Sequence, residues 1–208
     1  RIQISPKDPV SKNIDHAVAY IEMDDKRFFL ERIIKENPES KILVFVRTKV
    51  RAERVTKALE RVGIISQTIH GDKDQGQRSQ VMEAFRTGAN KILIATDVSA
   101  RGIDIPSVEF VVNYDLPQEA ENYVHRVGRT GRGTSRGKAI SFCSSEEREV
   151  LDEIESYLDK PVAVMTIDKD DYEATIDISE AAKHDWKSLI EEELALEELP
   201  AKKRKKRK

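Results

Sequence analysis

Lys41-Ile42-Leu43-Val44-Phe45-Val46-Arg47-Thr48 decides the fold. The run is apolar, rich in β-branched residues and bounded by polar ones, which is the pattern of a strand buried on both faces. Thr48 stands where it can cap a helix. Ala52, Val55, Leu59 and Val62 then recur on one helical face, and Gly63 ends it. A buried strand that passes directly into an amphipathic helix is the repeating unit of a parallel sheet.

The unit recurs on both sides. Upstream, His16, Val18 and Tyr20 alternate in a strand over 14–21. Asp24 then opens a helix with an apolar stripe of Phe28, Phe29, Leu30, Ile33 and Ile34, ended by Asn37-Pro38. Downstream, strands are expected at Ile64–Ile69, Lys91–Ala95, Val108–Asn113 and Lys138–Cys143. Helices are expected at 75–87, 119–126 and Glu146–Leu158. This alternation predicts an α/β fold, a mostly parallel sheet sandwiched by helices. In such sheets ligands bind outside the carboxyl ends of the strands. The chemistry is therefore expected in the turns after Val46, Ile69, Ala95 and Asn113.

Composition divides the 208 residues into four parts. Residues 1–13, with Pro6 and Pro9, read as an entry arm. Residues 14–164 form the α/β domain. Residues 165–200 form an acidic, partly helical extension, irregular over Asp168–Ile178 and helical over Glu180–Leu199. Residues 201–208 read as a disordered basic tail. Arg1 is not an initiator, so the chain is expected to be a piece of something longer. No apolar run approaches the length that spans a membrane. The single cysteine, Cys143, cannot form an internal disulfide, which points to a reducing, cytoplasmic setting. His16, His70, His125 and His184 lack metal-ligand spacing. Without the seven basic residues of the tail, 29 basic residues face 38 acidic ones, a net of −9. Binding of nucleic acid would then need a local basic groove and not the overall field.

Four loop motifs carry unusual residues. Val44–Thr48 delivers a cation and a hydroxyl at a strand end. His70-Gly71-Asp72, followed by Gln75-Gly76-Gln77-Arg78, offers backbone amides and a cation at a helix start. Ala95-Thr96-Asp97-Val98-Ser99-Ala100-Arg101-Gly102-Ile103-Asp104 packs hydroxyls, carboxylates and a cation into one turn; Asp97 suits an orienting role and Asp104 a sugar hydroxyl. His125-Arg126-Val127-Gly128-Arg129-Thr130-Gly131-Arg132 sets three arginines three residues apart, a spacing suited to gripping phosphate.

In order and spacing the set resembles the second RecA-like domain of the DEAD-box ATP-dependent RNA helicases of superfamily 2. Details such as Phe45-Val46-Arg47-Thr48 and Asn113-Tyr114-Asp115-Leu116-Pro117 are closest to the bacterial RhlE-like branch. The likeness covers residues 14–160. It implies that Arg129 and Arg132 act as arginine fingers on ATP, with Asp104 on the ribose. It implies that His125 and Arg126 touch a partner domain, and that Arg47, Thr48, Gly71, Arg78, Thr96 and Asp97 line an RNA path. The chain has no G-x-x-x-x-G-K-[ST] phosphate loop, no Asp-Glu-Ala-Asp and no Ser-Ala-Thr. By the resemblance, Mg²⁺ would be held mainly by an absent N-terminal RecA-like domain, the expected partner alongside RNA. The expected function is the C-terminal half of an ATP-dependent RNA helicase, monomeric, and inactive as an ATPase alone. The alternatives are a non-catalytic RNA-binding module or a DNA helicase of the same superfamily. The basic tail reads either as solvated or as a nonspecific RNA tether.

Overall fold

A computed structural model describes residues 9–100, 105, 108–131 and 136–177. Seven strands form one sheet: β1 (Ile14–Tyr20), β2 (Ile42–Phe45), β3 (Gln67–Ile69), β4 (Ile92–Ala95), β5 (Phe110–Asn113), β6 (Gly137–Cys143) and β7 (Ala163–Met165). Their order is β3-β4-β2-β5-β6-β1-β7, and every pairing is parallel. All strands therefore end on the same edge. The four strands whose loops carry the motifs are direct neighbours, except that β6 follows β5 with the arginine run between them in sequence.

β2, β4 and β5 are buried at all four positions, as strands covered on both faces must be. The helices are α1 (Lys26–Glu36), α2 (Lys49–Glu60), α3 (Gln75–Thr87), α4 (Asp97–Ala100), α5 (Ala120–Val127) and α6 (Arg148–Leu158). One face of the sheet packs Phe29, Leu30 and Ile34 of α1 with Ala52, Val55 and Leu59 of α2. The other packs Val81 and Phe85 of α3, Tyr123 and Val127 of α5, and Leu151, Ile154 and Leu158 of α6. Caps fix where helices begin and end. The Thr48 side chain accepts from the Arg51 amide, Asp74 and Gln77 form a capping box, and Gly88 closes α3 at φ 80°. No helix among the described residues is long and apolar enough to cross a membrane.

Three differences from the sequence reading have physical causes. The strand expected over 64–69 begins only at Gln67, because β3 has one partner and β4 starts too late to pair with Ile64 or Ile65; Ile65 is left 80% exposed. The strand expected from Val108 begins at Phe110. Val108 instead makes a lone bridge to Thr130, with Thr130 Oγ1 donating to the Val108 carbonyl at 2.5 Å. The segment expected to be irregular after 165 is ordered. β7 pairs with β1, and a further helix, α7, runs over 169–177. Tyr172 stacks on Phe29 at 4.8 Å and donates to Asp25 Oδ2 at 2.8 Å, while Arg32 bridges to Asp171 at 2.8 Å. The packed body thus extends past 164. A cavity of about 470 Å³ lies between α1, the sheet and residues 165–171. The helix expected over Glu180–Leu199 and the basic tail lie outside the described residues.

Burial pushes the phenols of Tyr114 and Tyr172 up to about 12, and raises that of Tyr123 as well. An unfolded tyrosine ionises near ~10. Between these values the unfolded chain has lost protons that the native state keeps, so stability falls as pH rises from 10 to about 12. Urea midpoints measured across that window should drop steadily. A flat profile would mean that these phenols are solvated.

Candidate functional site

The loop edge is organised around one buried arginine. Arg126 lies in the last turn of α5 and is 2% exposed. Its guanidinium donates to both carboxylate oxygens of Asp97, at 2.6 and 2.7 Å. Nη1 donates to the Asp115 carbonyl at 2.7 Å and to Asn113 Oδ1 at 3.3 Å. The group also sits 5.0 Å from the centre of the Phe45 ring. A planar fork with several donors can satisfy all these acceptors at once; an ammonium cannot. One side chain therefore ties α5 to the loops after β4 and β5 and to the end of β2. Its donors are engaged within its own domain, where it acts as a positioning residue. Its neighbour His125 faces outward, with Nε2 3.5 Å from Glu121.

A second buried cluster lies beside the first. Asp115 accepts from the Arg47 amide at 2.9 Å and pairs with Arg51 Nε at 3.0 Å. Glu147, in the turn Ser145–Glu147, pairs with fully buried Lys26 and with Arg47 Nη2 at 3.1 Å. It also accepts from the Leu116 and Ser144 amides at 3.3 and 3.2 Å. Two buried carboxylates are thus matched by three cations and by backbone donors, which is what such burial requires. The cluster fixes Arg47 at the end of β2.

The loops after β3 and β4 are joined by Ser99. Its hydroxyl bonds the Ile69 carbonyl at 2.7 Å, the Thr96 amide donates to it at 3.1 Å, and Thr96 Oγ1 lies at 3.1 Å. Thr96 is therefore buried, with its hydroxyl engaged. Near β3, Glu53 takes the Thr68 hydroxyl at 3.0 Å and His70 Nε2 at 2.8 Å. The His70 bond holds the Glu53 carboxyl below the usual carboxylate range. Among the described residues, His70 Nδ1 and Arg78 Nε are buried without a hydrogen-bond partner. Gly71 beside them has no atom within 4 Å of where a Cβ would stand. The fold itself does not require a glycine there. With Nε2–H donating to Glu53, Nδ1 of the neutral imidazole is an acceptor, while Arg78 Nε is a donor, so the open space suits a ligand that brings both kinds of group.

The arginine run leaves α5 with its backbone pinned. The Arg129 carbonyl accepts from the Val108 amide at 3.1 Å. Gly131 has φ 66°, and a Cβ there would stand 2.6 Å from Ile14 Cγ1 and 3.0 Å from the Asn13 carbonyl. No side chain fits at this point. Arg132, Asp104, Arg101 and Gly102 lie outside the described residues. The structure thus brings Arg47, Thr48, Gly71, Arg78, Thr96 and Asp97 to one edge, with α5 and its arginine loop alongside. Sequence reasoning missed Lys26, Asn113, Asp115, Ser99 and Glu147 as parts of the site. Ser144-x-x-Glu147 was legible as a capping box; Lys26 gave no local signal.

Comparison with known proteins agrees with this geometry. The family described as "Helicase conserved C-terminal domain" matches residues 25–134. The chain is 43% identical over 158 residues to the ATP-dependent RNA helicase DbpA of Bacillus subtilis, covering 76% of the chain and 33% of that protein. It is 41% identical over 174 residues to the ATP-dependent RNA helicase RhlB of Shewanella frigidimarina, covering 82% and 39%. The chain therefore spans well under half the length of these relatives. Dbp5 of S. cerevisiae bound to RNA and ADP BeF3 superposes with a TM-score of 0.71 at 31% identity, covering 83% of this chain and 46% of that one. The finer likeness to an RhlE-like branch finds no support in these relatives.

Replacing Arg126 should cost stability in proportion to the donors lost. Arg126→Ala strands Asp97 and the Asp115 carbonyl and should cost about 3–5 kcal/mol. Arg126→Lys keeps the charge but loses the fork, and should cost about 1–3 kcal/mol. Urea unfolding of the chain and its two variants checks the order. Equal stability of all three would show that the fork is not what joins these loops.

Proposed function

This chain belongs to the DEAD-box RNA helicase family as its helicase C-terminal domain, and we propose that it supplies the arginine fingers and RNA-backbone contacts for ATP-driven, sequence-independent unwinding by the whole protein. The observation that carries this reading is the convergence of strand-end loops on one edge. That edge is held by Arg126 and Asp97 and bears the unsatisfied His70 Nδ1 and Arg78 Nε. An RNA phosphate can supply the acceptor that Arg78 Nε lacks, a ribose hydroxyl can donate to His70 Nδ1, and Gly71 leaves room for a backbone to approach. Arg47 and Thr48, held at the end of β2, extend the same path. Contacts of this kind position a strand without reading its sequence.

Nucleotide contacts fall to a different group. Arg129 and Arg132 follow α5, and Asp104 follows α4. Guanidinium groups match phosphate oxygens, and a carboxylate suits ribose hydroxyls. ATP, when bound with Mg²⁺, supplies the phosphoryl group whose transfer drives the cycle. The residues here orient it and offset developing charge. The sequence has no phosphate loop of its own, so the nucleotide site is shared with an N-terminal RecA-like domain, and closure of the two domains strains the RNA between them.

RNA-stimulated phosphate release should be absent with this chain alone and present when it is joined to its N-terminal domain. In the joined protein, Arg129→Ala and Arg132→Ala should each lower kcat by about 10³–10⁵, with RNA affinity largely kept. Turnover by the chain alone, or undiminished turnover by both variants, would sink the finger assignment. DNA in place of RNA should stimulate poorly.

A further inference from the structure

α2 distributes its charge unevenly. Lys49, Arg51, Arg54, Lys57 and Arg61 are its cations, and Glu53 and Glu60 its acids. Glu53 is turned toward β3, where His70 and Thr68 engage its carboxylate. Lys49 pairs with Asp72 at 2.6 Å, and Arg51 with Asp115. Arg54, Lys57 and Arg61 are exposed, and none of their side chains has a hydrogen bond or ion pair among the described residues. At positions i, i+3 and i+7 they share one helix face. They span ~10 Å along the axis at ~1.5 Å per residue. The face begins ~9 Å along the helix axis from Thr48.

A solvated helix explains only part of this. Cations near a helix C-terminus complement its dipole, which accounts for Lys57 and Arg61 but not for Arg54. Like charges three and four residues apart destabilise a helix, and the carboxylate of the one acid of the first two turns, Glu53, is engaged by His70 and Thr68. The body of the chain is acidic overall, so a row of unpaired cations stands out against its surroundings. Charge complementarity selects a polyanion, and continuity with the Arg47–Thr48 loop selects the strand that the loop edge would hold.

We propose that Arg54, Lys57 and Arg61 form a secondary track that binds the phosphate backbone of RNA running on past the strand-end loops. The inference rests on the reading that those loops bind RNA. The track lets the protein hold longer strands more tightly without altering the reaction. Its contacts are electrostatic, so its contribution falls as salt rises.

The test uses the full-length protein and two kinds of RNA. One is the shortest single strand that saturates RNA-stimulated ATP hydrolysis; the other is the same strand extended on its 5′ or 3′ side. The variants are Arg54→Glu/Lys57→Glu/Arg61→Glu and, as a milder change, the triple Gln replacement. Matched thermal unfolding shows that the exposed substitutions leave the fold intact. The Glu variant should bind one of the extended RNAs at least about tenfold more weakly, and its log-log salt slope should fall by roughly 0.7 per lost contact. The Gln variant should lie between. Affinity for the short RNA and saturated kcat should not change. Unchanged binding of every RNA, as when the face meets solvent or a protein, overturns the proposal. Equal weakening for short and extended RNAs also overturns it, since the stripe would then be no separate track. Failure of the parent protein to bind any RNA would instead strike the underlying reading of the loop edge.

Discussion

The Arg126–Asp97 pair is the constraint on which the site depends. Parallel strands bring their loops to one edge but do not fix how those loops lie against each other. A guanidinium buried at 2% exposure must have its donors filled. The only arrangement here that fills them brings the loops after β4 and β5 together under the end of α5. The desolvation cost of the arginine thus becomes a demand for one geometry. Lys26, Glu147 and Asp115 repeat the device one strand over, and their by-product is a fixed Arg47. Ser99 does for the loops after β3 and β4 what Arg126 does for its neighbours.

The arginine run shows how one short motif divides its labour. Consecutive residues on a helix point about 100° apart, so His125 and Arg126 cannot share a surface. His125 faces outward and Arg126 inward. Gly131 then turns the chain at positive φ against Asn13 and Ile14, where no Cβ could stand. The lone bridge of Val108 to Thr130 pins the backbone between these points. The chain leaving α5 is therefore held on both sides of Arg129. A group whose role is to meet a phosphate benefits from that, because a base already in place loses less freedom on binding.

Much of this was legible in the sequence. Runs such as Ile42–Phe45 and Ile92–Ala95 are apolar at every position because both faces are covered, and this alone implies the layered fold. Thr48 marked a helix start by its chemistry. What stayed hidden depends on contacts between distant residues. Lys26 and Glu147 are 121 positions apart, and each reads locally as an ordinary helix-end charge. The truncation of β3 depends on where its partner starts. β7 is only three residues long and α7 is short and acidic, and Tyr172 is the anchor that holds α7 to the sheet through α1. Arg126 was visible as an arginine, but its burial was not, since three arginines at equal spacing carry no mark of which one turns inward.

The two halves of the loop edge differ in how complete they are. Around Arg126, Asp115 and Glu147 the buried polar groups are engaged, and the arrangement is rigid as it stands. Around β3 and α3, His70 Nδ1 and Arg78 Nε are buried without partners, and the space at Gly71 is open. A buried donor left unmade costs about 1–3 kcal/mol, so Arg78 Nε gains from any acceptor that reaches it. The position of the gaps argues for an extended anion. They lie after β3 and in α3, with β4 between β3 and the β2 end that carries Arg47, so a ligand reaching from them to Arg47 must cross three strands along the edge. A small ion cannot bridge from Arg78 to the β2 end; a phosphate backbone offers acceptors at intervals. The satisfied half then acts as the frame, and the unsatisfied half as the place where binding energy is gained.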